Sequence, residues 1–139
     1  MPADPISVKK PHPPRVLVVD DASGMRTYLR LVLESGGFAC TEVSDGGEAF
    51  DEVLGSTYDL VITDLEMPNM DGFQLLSAIS LLPTARRPPV IVVSALLDET
   101  LAERRPELRA ASALRATPVQ PADLLTAIGN VFSRRAASR

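Results

Sequence analysis

Three aspartates stand where short apolar runs stop: Asp20 and Asp21 directly after "VLVV", and Asp64 after "LVIT". Ser94 follows "VIVV" in the same way, and Thr117 follows "ALRA". Adjacent carboxylates repel each other, and burial at a strand end raises the cost of ionising each one. The pair therefore needs something to offset its own charge. Carboxylate oxygens gathered on one rim form a hard donor set, which suits a magnesium ion that retains several of its waters. Either signal alone is weak, because "DD" often caps a helix and a lone aspartate often sits in a turn. Their joint placement at the ends of separate apolar runs is what marks a site.

Those ends converge only if the runs lie side by side. From Arg15 onward, strand-like segments at 15–20, 38–43, 59–63, 89–93 and 112–116 alternate with helical periods. Met25, Leu29, Val32 and Leu33 recur at helix spacing, and Gly36 is placed to end that helix. Ala49, Phe50, Val53 and Leu54 repeat the pattern before Gly55, and Phe73, Leu76 and Ile79 repeat it before Pro83. A fourth helix is expected over 98–105, broken by Pro106. The last is carried by Leu124, Leu125, Ile128 and Val131, with Pro121 in its first turn.

Five strand–helix units predict an α/β fold, a doubly wound five-stranded parallel sheet. "VLVV", "LVI" and "VIVV" are almost wholly apolar, as strands covered on both faces must be, while "ACTEV" and "ALRA" suit the edges. That assigns the order 2-1-3-4-5, in which ligands bind beyond the carboxyl ends of the strands. Asp20, Asp21, Asp64, Ser94 and Thr117 then share one rim.

At 139 residues the chain is expected to form one domain over 15–134. A Pro-rich disordered tail over 1–14 and a short C-terminal tail over 135–139 flank it. Hydrophobic residues make up 45% and aromatics only 4%, which fits an aliphatic α/β core. A net charge of −4 argues against nucleic acid as the main partner. No apolar run reaches membrane-spanning length and no signal peptide opens the chain, so a cytoplasmic protein is expected. The single cysteine, Cys40, cannot form an internal disulfide and reads as a small buried hydrophobe. The single histidine, His12, lies in "KKPHPP", which leaves the folded body without an imidazole base.

The segment "VITDLEMPNMDG", the preceding "LVVDD", and Ser94-Ala95 after "VIVV" resemble the receiver domain of bacterial response regulators, in type, order and spacing. The likeness spans about 120 residues and points to the flavodoxin-like fold and to single-domain, chemotaxis-regulator-like members. It implies that Asp64 accepts a phosphoryl group from the phosphohistidine of a histidine kinase or His-phosphotransferase. It further implies Mg2+ held by Asp20, Asp21, Asp64 and the backbone carbonyl of Glu66, with the Ser94 hydroxyl on the phosphoryl group. Pro68 and Gly72 match the turn after the acceptor, while Met67 and Met70 read as packing. With no residues left after the last helix for an output domain, signalling to an unknown downstream protein by binding is expected. The family often dimerises through the fourth-helix to fifth-helix face, so a homodimer there is one expectation.

Three positions depart from the family. Thr117 stands where a lysine precedes the proline of the last loop, here Pro118, and the only lysines are Lys9 and Lys10 in the tail. Leu114 stands where an aromatic switch residue is usual, and Ala110 where glycine is frequent. A threonine donates a neutral hydrogen bond, about half as strong as the charge-assisted bond it replaces. Arg115 has the strand parity to reach the rim, although an edge-strand arginine is more often solvated. The first reading is therefore a phospho-accepting signalling domain, not an enzyme in its own right. The second is a pseudo-receiver that signals without phosphorylation. A haloacid-dehalogenase-like phosphohydrolase ranks last, because that family carries its nucleophile within Asp-x-Asp on the first strand, and this chain has "DDAS" there.

Overall fold

The computed structural model describes residues 12–137. The elements run β1 (Arg15–Val19), α1 (Ser23–Ser35), β2 (Ala39–Val43), α2 (Gly46–Gly55), β3 (Leu60–Thr63), α3 (Gly72–Ser80), β4 (Val90–Ser94), α4 (Leu101–Arg104), β5 (Ala113–Ala116) and α5 (Pro121–Ala137). Short 3-10 turns at Thr84–Arg86 and Pro106–Ala110 precede β4 and β5. The five strands are all parallel, in the order β2-β1-β3-β4-β5. The two more polar segments are the edges, and the strand limits differ from the sequence-based ones by a single residue.

Strand alternation divides the core into two halves. Leu17, Val19, Val61 and Val92 face one side, where Ala49 and Val53 of α2 and Phe73, Leu76 and Ile79 of α3 cover them. Val16, Val18, Ile62 and Ile91 face the other, under Leu29 and Leu33 of α1 and Leu124 and Ile128 of α5. β1, β3 and β4 are thus apolar on both faces, and each fully buried Val, Leu or Ile contributes about 1.5–3 kcal/mol. This core fixes the heights of the strand ends, on which the site depends.

The fourth helix is shorter than expected over 98–105. Asp98 Oδ1 accepts from the N–H groups of Thr100 and Leu101, each at 2.9 Å, so its side chain closes a turn before the helix begins. Pro106 then stops α4 after a single turn, and the chain continues as 3-10. Arg105, at that junction, lies over the Phe73 ring at 3.5 Å and pairs with Glu107, which pins the irregular segment onto α3. Gly36 does cap α1, at φ −91°, but Gly37 takes the left-handed conformation at φ 89°. Phe38 N–H to Leu33 O and Gly37 N–H to Glu34 O complete the Schellman pattern.

The last helix runs through Ala137, three residues past the boundary expected at 134. Most of the N-terminal tail expectation, and the end of the C-terminal one, falls on residues 1–11 and 138–139, outside the described residues. No described helix is long and apolar enough to cross a membrane.

Candidate functional site

The sheet carries its hydrogen bonding one step past the strands. Asp20 N–H donates to Val43 O at 3.2 Å, Asp64 N–H to Val19 O at 3.0 Å, and Thr117 N–H to Ser94 O at 3.3 Å. Asp20, Asp64, Ser94 and Thr117 are thereby held on the same rim. Oxygens of Asp20, Asp21 and Asp64 all lie within 4.8 Å of one another. Asp20 is the buried member, only 5% exposed, while Asp64 is half-buried and Asp21 exposed.

That placement sets the electrostatics. Burial raises the Asp20 pKa above its ordinary 3.8, and the charges of Asp64 and Asp21 push the same way. The Ala22 N–H, which donates to Asp20 Oδ1 at 2.9 Å, and the Arg26 charge oppose them. Burial and the neighbouring carboxylates thus resist negative charge on Asp20.

Asp64 opens a tightly folded loop. Its Oδ1 accepts from the Leu65 N–H at 2.7 Å, and its carbonyl accepts from the Thr63 hydroxyl at 2.8 Å. The loop turns back so closely that a Cβ on Gly72 would lie 2.1 Å from the Asp64 carbonyl oxygen, so only glycine fits there. Further along, Asn69 takes φ 67° and donates from its amide to Asp45 Oδ2 at 2.9 Å. The other Asp45 oxygen caps α2 through the Glu48 N–H, and these two bonds lower the Asp45 pKa. Gly46 N–H meets Met70 O at 2.9 Å, which ties the same loop to α2 a second time. Asp71 and Gln74 close a capping box at the start of α3. Met67 packs on the core, as its sequence context suggested.

β4 lies beside β3 with Thr63 opposite Val92, which puts Ser94 on the Asp64 rim. Ser94 is 1% exposed, and its oxygen accepts from the Leu96 N–H at 3.2 Å, leaving the hydroxyl proton to donate. Thr117 follows β5, and its peptide bond to Pro118 is cis. Glu66 lies two residues after Asp64 with its side chain exposed. Leu114 packs against the core. Arg115 donates from Nη1 to the Leu114 carbonyl at 2.8 Å, so part of its guanidinium is held along the edge strand. Cys40 is half-buried on β2, and burial pushes its thiol up to about 11, in keeping with a packing role.

One rim residue escaped the sequence reading. Arg26, in the first turn of α1, donates from Nη1 to the Asp20 carbonyl at 2.7 Å and pairs through Nε with Glu42 at 3.3 Å. Glu42 also pairs with Arg30. The signal was an arginine soon after the acid pair, facing a lone glutamate on the neighbouring edge strand.

The donor set fits magnesium. It is all oxygen, and its buried member, Asp20, has its pKa raised by burial and by the charges of Asp64 and Asp21. A sequence model of the family described as "Response regulator receiver domain" matches residues 16–129. The chain is 36% identical to the rice two-component response regulator ORR11 over 124 residues, 88% of this chain and 80% of that one. It is 40% identical over 82 residues to a gliding motility regulatory protein of Myxococcus xanthus, which is 59% of this chain and 11% of that one. This chain thus spans about a tenth of that relative's length. Among solved structures, the chemotaxis response regulator CheY4 of Vibrio cholerae superposes with a TM-score of 0.76 at 26% identity, covering 86% of this chain and 98% of that one.

Proposed function

Because this chain belongs to the response regulator receiver domain family of two-component signalling, we propose that Asp64 accepts a phosphoryl group from the phosphohistidine of a histidine kinase or His-phosphotransferase. The observation that carries this reading is the convergence of Asp20, Asp21 and Asp64 within 4.8 Å at the ends of neighbouring strands.

The Asp64 carboxylate attacks phosphorus, the donor's P–N bond breaks, and an acyl phosphate forms. Since Oδ1 is engaged by the Leu65 N–H, Oδ2 is the attacking oxygen. Ser94 donates its hydroxyl to a phosphoryl oxygen. Asp20, Asp21, Asp64 and the Glu66 carbonyl would hold Mg2+, which supplies neutralisation of charge on the phosphoryl oxygens. Asp20 and Asp21 keep that charge balance local to the rim, and Arg26 fixes the backbone from which Asp20 projects. Thr117 offers a neutral donor where the family has a cation, so the phosphorylated state gains less from this loop than usual. The domain acts as a cytoplasmic signalling module whose output is the binding of another protein.

Intact mass after acetyl phosphate treatment, with Mg2+ and with EDTA, tests the proposal. One added phosphoryl group is expected with Mg2+, reduced by EDTA and absent from Asp64→Asn. No label with either acetyl phosphate or a histidine-phosphorylated donor would leave the pseudo-receiver reading in its place.

A further inference from the structure

A cleft of about 800 Å3 opens at the other end of the sheet from the acidic rim. Its walls are the segments that lead into β1, β3 and β4, here Pro14, Thr57–Asp59 and Arg86–Pro88, together with the end of α5. We propose that this cleft docks an acidic peptide segment bearing an apolar side chain, presented by a partner protein.

Charge is the first ground. The chain carries −4 overall, yet among the described residues the lining holds Arg86 and Arg87 with one acid, Asp59. Asp59 Oδ2 is itself occupied by the Arg15 N–H at 2.8 Å. A positive cleft on an acidic protein recruits negatively charged partners.

The arginines are also held in place. Arg86 Nη2 donates to Leu54 O at 3.0 Å, and Arg87 Nε donates to Leu82 O at 2.9 Å. Each bond uses one donor and leaves other N–H groups of an exposed guanidinium to meet a carboxylate. Less side-chain freedom is then lost on binding.

Apolar surface sits beside this charge. Tyr58, Val53 and Pro88 are buried lining residues. Leu54, at the end of α2, is 46% exposed, and Leu81, just after α3, is 85% exposed. The two arginine bonds tie the chain leading into β4 to these two helix ends. Arginine beside apolar anchors is a common composition for a protein-binding surface.

The aromatic lining disfavours a nucleotide. Arg15 covers the Tyr58 ring at 4.6 Å, and the Phe132 ring packs on Phe38 at 6.0 Å. Both rings therefore have partners within the protein, which weighs against base stacking here.

The test uses the full chain and a short fluorescein-labelled peptide of Glu, Asp and Ser with one central Leu, followed by anisotropy. We expect saturable binding that weakens at least fivefold in Arg86→Glu/Arg87→Glu and about threefold in Leu54→Ser. Asp64→Asn should bind as the wild type does, in EDTA or Mg2+, since the cleft requires neither the acceptor nor the ion. Circular dichroism melting confirms that the variants fold. Equal binding of a peptide with Lys in place of the acids would overturn the proposal. So would tighter binding of a single-stranded oligonucleotide, or unchanged affinity in a folded Arg86→Glu/Arg87→Glu protein.

Discussion

Replacing Asp20 by asparagine removes the buried charge of the rim while keeping an oxygen to accept the Ala22 N–H. Asp20 faces two carboxylates at no more than 4.8 Å. Even with water-like screening, each repulsion at that distance is worth about 0.9 kcal/mol, so their sum is about 1.7 kcal/mol. The Ala22 bond weakens by roughly 0.5–1 kcal/mol when its acceptor loses charge, and the small Arg26 attraction that is lost is more than offset by the burial cost that the neutral side chain avoids. The net gain in the metal-free protein is about 1 kcal/mol, or about 4 °C in Tm for a chain of this size.

The pH dependence has a defined sign. The Asp20 pKa is raised in the native state, chiefly by burial, so its contribution to stability is fully present below the unfolded value of 3.8 and lost as pH rises through the native value. Asp20→Asn should therefore outmelt the wild type at pH 7 in EDTA, and that advantage should shrink on acidification toward pH 4. Magnesium works in the opposite direction. At ten times its dissociation constant it stabilises the wild type by about 1.4 kcal/mol, whereas the variant should gain less, which closes the gap. Differential scanning fluorimetry across pH in EDTA and in Mg2+ measures all of this. A variant that melts below the wild type in EDTA at pH 7, or an advantage that grows with acid, would refute the reasoning.

Gly72→Ala should lose about 3 kcal/mol in urea denaturation, because its new Cβ meets backbone at 2.1 Å. Gly36→Ala should stay within about 1 kcal/mol of the wild type, since its 2.8 Å contact is the mobile end of Leu125 and the unfolded chain becomes stiffer. A thiol pushed up to about 11 from 9.0 gives roughly a hundredfold less thiolate at pH 8, so iodoacetamide should label Cys40 much more slowly in the native protein than in urea. Beryllofluoride should move amide resonances across residues 95–117 only weakly, and Thr117→Lys should enlarge those shifts. Large shifts in the unmodified protein would mean that another group performs the lysine's role.

The sheet order was legible because strand polarity reports cover. "VLVV", "LVI" and "VIVV" needed helices on both faces, and only the inner positions provide them. The acid rim was legible for a related reason, since a parallel sheet aligns the carboxyl ends of its strands. What stayed hidden depends on side chains that act across space. The length of the fourth helix turns on the Asp98 carboxylate closing a turn before Leu101, which composition does not reveal. Periodicity marked the end of α1 but could not say which of two adjacent glycines would turn left-handed, because that depends on where the closing bond forms, here Phe38 N–H to Leu33 O. Arg26 left only a faint signal, its place soon after the acid pair, because its role lies in a contact with the Asp20 backbone carbonyl.

Locating the phosphoryl group tests the central claim most directly. Borohydride reduces an acyl phosphate on aspartate to homoserine and leaves a phosphoserine untouched. Treating the acetyl-phosphate-labelled protein in Mg2+ with borohydride, followed by peptide mass spectrometry, reads the acceptor residue by residue. Homoserine at position 64, with Ser94 unmodified, is the predicted result. Reduction at position 20 or 21, or phosphate retained on Ser94, would contradict the assignment of Asp64.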